Sequence, residues 1–152
     1  STVACVVSHP DGNLYILTRP NGTIIRFNPS SRASAIVYTF GNQSQGLTPV
    51  HMTLANNGKI YGTTSAGGAN SYGVIFEFDP LTGVYTKKFD ASFSATGAQL
   101  GRLFDGPDGK LYGTMQTGGA SAAGTVYSFD IITGNFTLIA SFNGTNGSNP
   151  KG

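Results

Sequence analysis

Apolar and polar positions alternate along this chain in short runs, and the runs return at regular intervals. In Val74-Ile75-Phe76-Glu77-Phe78, the residues Val74, Phe76 and Phe78 fall on one face, Ile75 and Glu77 on the other. That period of two predicts a strand with one face buried more deeply. Thr23, Ile25, Phe27 and Thr125, Tyr127, Phe129 repeat the pattern. Upstream of each run stands a turn, Asp11-Gly12, Asn57-Gly58 or Asp108-Gly109, leading into Leu14-Tyr15, Ile60-Tyr61 or Leu111-Tyr112. Asp-Gly and Asn-Gly favour hairpins because both central positions want positive φ. Downstream, Asn28-Pro29, Asp79-Pro80 or Asp130-Ile131 ends the strand, and a last strand closes on Phe40, Phe93 or Phe142. A further strand precedes each turn: Val3–Ser8, Val50–Ala55 and Leu100–Asp105. Each unit is thus four short antiparallel strands in about fifty residues, the size of one β-propeller blade.

The copies Asp11–Phe40, Asn57–Phe93 and Asp108–Phe142 differ in quality. Copies two and three carry a Gly-rich loop, Gly67-Gly68-Ala69 and Gly118-Gly119-Ala120, where copy one has Arg19-Pro20-Asn21. These features resemble the GloVer tandem-repeat family of bacterial surface and secreted proteins. Its pattern is roughly D-G-x-L-Y-G-T-T, then G-G, then G-x-x-F-x-F, then T-G, then a closing Phe. The match is close at Asn57–Phe93 and Asp108–Phe142, and weaker in copy one, where Ile16-Leu17-Thr18 replaces Gly-Thr-Thr. The resemblance implies a propeller-like repeat fold and brings no established activity.

The chain of 152 residues is read as one all-β repeat domain, residues 1–152, with units at about 3–40, 50–93 and 100–142 and a tail at 143–152. The tail matches the linkers Gly41–Pro49 and Asp90–Leu100, with Pro150 in the place of Pro49. Three blades do not close a ring, since propellers use about four to eight. An open arc exposes two apolar blade faces, and repeat stacks need their terminal faces covered. The expected partners are therefore copies of the chain, as a closed homo-oligomer or a filament, or the rest of a longer propeller. A β-trefoil, also three repeats of four strands, is the competing architecture and would close as a monomer.

Charge is low, 11% Asp, Glu, Lys and Arg with a net +2, and the nine basic residues are scattered. That argues against nucleic acid as a partner. No apolar run approaches the roughly 20 residues of a membrane helix. Sequons at Asn21, Asn42, Asn135, Asn143 and Asn146 fall mostly in turns and lean towards an extracellular or cell-surface glycoprotein. Cys5 is the only cysteine, so no intramolecular disulfide exists, and its place in an apolar strand predicts burial.

Candidate chemistry is sparse. Cys5, His51 and Arg102 occupy one repeat position on the first strand of each unit. In a propeller they face a common axial space, but no orienting carboxylate repeats beside them. Asp79 and Asp130 align with Asn28, and Asp11 and Asp108 with Asn57, as turn formers. No His, Cys or Asp cluster has metal-ligand spacing, so neither metal nor cofactor is expected. Tyr15, Tyr61 and Tyr112 repeat in every copy and read as packing residues. The polar groups beside the Gly-rich loops, Thr64, Ser65, Asn70, Gln116 and Thr117, are the candidate ligand contacts, with glycans as the ligand class. The reading is a non-enzymatic extracellular propeller module acting through self-assembly and surface adhesion, with a lectin of repeated weak sites as the alternative.

Overall fold

The computed structural model describes residues 2–20 and 22–151. Three four-stranded antiparallel sheets follow one another as blades. Blade 1 holds β1 (Thr2–Ser8), β2 (Leu14–Arg19), β3 (Thr23–Phe27) and β4 (Ser34–Thr39). Blade 2 holds β5 (Leu47–Leu54), β6 (Ile60–Ala66), β7 (Val74–Phe78) and β8 (Tyr85–Asp90). Blade 3 holds β9 (Ala98–Asp105), β10 (Lys110–Thr117), β11 (Thr125–Asp130) and β12 (Phe136–Ser141). The first strands β1, β5 and β9 contact one another in sequence, so they line the inner edge of the arc. This is propeller architecture; a trefoil would share strands between units, and here every sheet is built from its own repeat.

The repeat motif has a direct physical content. The turn residue's Oδ1 accepts the backbone N–H two residues on, from Asn13, Lys59 or Lys110, at 2.9, 3.0 and 3.2 Å. Its other atom holds the tyrosine four residues on: Tyr15 and Tyr112 donate to Asp11 and Asp108 at 2.9 and 2.8 Å. In copy two the turn residue is Asn57, so the polarity reverses. Asn57 Nδ2 donates to the Tyr61 hydroxyl at 3.1 Å, and Tyr61 donates instead to Glu77 on the neighbouring strand. The expected turns at Asn28, Asp79 and Asp130 are present, each side chain accepting two backbone N–H groups.

Blade 2 is sandwiched, and this corrects the alternation read from the sequence. All five residues of β7 are buried, because Phe76 and Phe78 pack on blade 1 and Ile75 on blade 3. In blade 1 the faces are exchanged relative to expectation. Ile24 is buried against blade 2, whereas Ile25 and Phe27 lie on the outer, half-exposed face. Two apolar clusters mark the two junctions, and each fully buried large side chain contributes on the order of 1.5–3 kcal/mol.

A steric exchange explains why copy one departs from the motif. Gly62 lies under the Phe76 ring, where a Cβ would come within 2.3 Å of Phe76 Cζ. Gly113 lies under Tyr127 in the same way, 2.5 Å from its hydroxyl oxygen. Copy one places Ile16 opposite Ile25, two branched side chains in place of a glycine and an aromatic ring.

Candidate functional site

Two rings of side chains, each contributed once per repeat, lie along the inner strands and at the ends of the strands that follow them. The first is Cys5, His51 and Arg102. The Arg102 and Arg19 guanidiniums act electrostatically on both Cys5 and His51. Burial pushes the Cys5 thiol up, opposed by the Met52 amide and the two arginines. Cys5 is half-buried rather than fully buried, since its Sγ sits at the inter-blade edge and accepts from Met52 N at 3.3 Å. Burial, then the Arg102 and Arg19 charges, hold the His51 imidazole below its ordinary range. His51 Nδ1 is buried without a hydrogen-bond partner among the described residues.

The second ring is the fourth residue after each repeat tyrosine: Arg19, Ser65 and Gln116. These line one cavity of about 290 Å³ together with Gln99 and Lys151. Arg19 Nη2 donates to Val50 O at 2.6 Å, fixing the guanidinium at the mouth. Ser65 Oγ donates to Thr48 O at 3.3 Å.

The structure thus brings Ser65 and Gln116 together and separates the other sequence candidates. Thr64 is fully buried, its hydroxyl donating to Ala66 O and accepting from Val74 N. Asn70 is exposed on the Gly-rich loop and donates to Ala91 O at 3.0 Å. Thr117 lies at the end of β10, paired with Ala98. The Gly-Gly loops are held by backbone bonds, Gly68 N to Gln43 O at 2.7 Å and Gly119 N to Phe93 O at 2.9 Å. Asn42, Asn135, Asn143 and Asn146 are exposed, and Asn21 lies outside the described residues. Arg19, Gln99 and Lys151 were missed by sequence reasoning. A signal existed for Arg19: the repeats agree on their tyrosines and disagree, as Arg, Ser and Gln, at the position that lines the axis.

The opposite end is structural. His9 Nε2 contacts Gly58 O at 3.0 Å, and its Nδ1 accepts from Asp11 N, so the imidazole staples blade 1 to blade 2. Glu77 is held below the usual carboxylate range: burial pushes it up, but Lys59, Tyr61 and Lys88 outweigh that. Asp11 is likewise held well below that range, burial being outweighed by Asn13, His9 and Tyr15. Among the described residues, no group of three or more His, Cys, Asp or Glu side chains could hold a metal ion, and no helix is long and apolar enough to cross a membrane.

The profile of the Gloeobacter/Verrucomicrobia repeat matches residues 1–152. The chain belongs to that repeat family. No curated protein sequence matches it. Among solved structures, it is similar to a chain of the nidogen/laminin complex, at TM-score 0.67 and 14% identity, covering 93% of this chain and 49% of that one. It is similar to virginiamycin B lyase from Staphylococcus aureus at 0.64 and 13%, covering 91% and 41%. An extracellular domain from B. thetaiotaomicron gives 0.66 and 14%, covering 93% and 16%. The repeat chain therefore spans half or less of the length of these structures, and at such identities the likeness concerns the propeller fold.

Proposed function

We propose that the chain is a non-enzymatic, extracellular propeller module that works by blade-to-blade association with further copies of itself, and through them by surface adhesion. The observation that carries this reading is one orphaned hydroxyl. At the junction of blades 2 and 3, Thr63 Oγ1 donates across to Gly101 O at 2.7 Å. Thr114 is its repeat equivalent on the free face of blade 3, and Thr114 Oγ1 is buried with no partner among the described residues. The position matching Gly101 on blade 1 is Ala4, at the register shift of β1.

The remaining surfaces agree with such a joint. Blade 1 leaves Val6 and Ile36 exposed, with Leu14, Ile16, Ile25 and Phe27 half-buried around them. Val6, Leu14, Ile25 and Phe27 are the repeat equivalents of Met52, Ile60, Phe76 and Phe78, which pack on blade 1. Blade 3 leaves Phe104 exposed at 57% beside Thr114. A second copy placing its blade 1 against blade 3 reproduces an internal junction, and two copies close a ring of six blades by a cyclic two-fold. Against catalysis, burial pushes the Cys5 thiol up and His51 Nδ1 has no hydrogen-bond partner among the described residues, so nothing there activates a nucleophile. The exposed sequons support an extracellular, glycosylated product.

Native mass in solution tests this. A particle of about twice 15.8 kDa is expected, with Phe104→Lys reducing it to a folded monomer. In a Cys5→Ser background, the pair Ala4→Cys and Thr114→Cys should cross-link between copies. A compact wild-type monomer at high concentration sinks the reading; long linear particles keep association and replace the ring with a filament.

A second reading, carbohydrate binding, is favoured by the convergence of Ser65 and Gln116 on one cavity. Short hydroxyl and amide groups of this kind suit sugar hydroxyls.

A further inference from the structure

The axial cavity is lined by two cations, Arg19 and Lys151, and among the described residues by no carboxylate side chain. Every salt bridge among the described residues involves Asp11, Glu77, Asp90 or Asp108, none of which lines it. Asp79 and Asp130 are engaged as turn acceptors, and Asp105 ends β9 at the far end of the inner strand. Arg19 and Lys151 line the mouth. Like charges repel, and an anion placed between Arg19 and Lys151 relieves that repulsion. Guanidinium groups also offer paired donors matched to a carboxylate.

The non-ionic lining narrows the ligand. Ser65, Gln99 and Gln116 present a hydroxyl and two primary amides, which suit neutral hydroxyl groups rather than a bare ion. A cavity of about 290 Å³ lies at the small end of ligand pockets and suits one sugar ring. The Arg19 charge also acts on the His51 imidazole, whose Nδ1 is buried without a partner among the described residues.

We propose that the axial mouth binds an acidic sugar of the uronate class, its carboxylate held by Arg19 and Lys151 and its hydroxyls by Ser65, Gln99 and Gln116. This rests on the carbohydrate-binding reading and adds to it the charge and the place. Binding there needs no activated group in the chain.

The test is a titration of the full chain, followed by the side-chain amide signals of Gln99 and Gln116 and the imidazole signals of His51. The probes are glucuronate, galacturonate, their neutral parent sugars and sodium sulfate, at matched ionic strength. Uronates are expected to shift all three residues, with neutral sugars at least about tenfold weaker, as the loss of one charged contact implies. Arg19→Gln, an exposed position, should cost about tenfold in uronate affinity with the fold retained. Equal binding of neutral sugars would overturn the anion inference while leaving carbohydrate binding in place. Sulfate binding as tightly as the uronates would overturn the sugar component. Silence towards every probe would overturn both.

Discussion

Between blades 1 and 2 the contact is aromatic. Tyr38 stacks on Tyr85 with centroids 4.0 Å apart, and Phe40 meets Phe76 edge-on at 5.3 Å. Between blades 2 and 3, Phe89 stacks on Phe136 at 4.2 Å, and an ionic group joins it: Tyr61, Glu77 and Lys59, with Lys59 Nζ 2.8 Å from Glu77. The backbone arrangement is common to both junctions; the side chains are not. What the difference teaches is that this repeat varies in compensating pairs. Gly62 with Phe76 becomes Ile16 with Ile25, and the Asp11 turn becomes Asn57 plus Glu77. A substitution that breaks one member of a pair should therefore cost much more than the same substitution elsewhere.

The largest expected effect is at Gly62. Gly62→Ala puts a Cβ against the Phe76 ring and 2.5 Å from the His51 carbonyl oxygen, and overpacking of this kind costs about 3 kcal/mol. Gly83→Ala gives the opposite case, backbone strain without a clash, because its φ is positive and its Cβ would meet nothing within 4 Å, whereas Gly62 is not at positive φ. Urea unfolding of both, and of Gly62→Ala with Phe76→Ala, makes the comparison. The double variant should be less destabilised than the sum, with a coupling of about 1 kcal/mol. Strict additivity would mean that the glycine and the ring are not a pair.

The ionic group comes next. Tyr61→Phe removes a donor from a carboxylate that is 8% exposed, at a cost of about 2 kcal/mol. Tyr112→Phe, its repeat equivalent on the free face, should be unmeasurable in the monomer. The same group predicts a pH dependence. The folded pKa of Glu77, like that of Asp11, is depressed. Their stabilisation is thus present above the unfolded value of about 4 and lost as pH falls through the folded value. The midpoint of urea unfolding should drop below about pH 4, and Glu77→Gln should flatten that slope while lowering stability at neutral pH. A variant with an unchanged acid limb would remove Glu77 from the account.

Much of this was legible in the chain because the repeat shows itself three times. The Asp-Gly turns, the Asx turns at Asn28, Asp79 and Asp130, and the closing phenylalanines need only local chemistry. Which face of a strand is buried was not legible, since it depends on where a blade stands in the stack. Identical alternation gives an outer Ile25 in blade 1 and a doubly covered β7 in blade 2. The axial cavity was half legible for a related reason. Ser65 and Gln116 draw attention by sitting near the Gly-rich loops, whereas Arg19 belongs to the copy that lacks one. Lys151 comes from the tail, and Gln99 sits, like Thr48 in blade 2, at a positive-φ position at the start of an inner strand.

The smallest effect carries the opposite sign. Tyr127 holds the place of Phe76, lying over Gly113 as Phe76 lies over Gly62. Its ring is used in full, stacked on Phe136 at 5.0 Å, but its hydroxyl is buried without a partner among the described residues. Burial pushes that phenol well above its ordinary range, so it stays neutral and simply forgoes the bonds it made to water. Tyr127→Phe keeps the packing, removes the orphaned group and copies what blade 2 already has. It should raise stability by about 1 kcal/mol, at the low end of what an unsatisfied buried hydroxyl costs. A loss of stability on that change would mean that the hydroxyl is bonded in solution and that blades 2 and 3 are less alike at this position than their backbones.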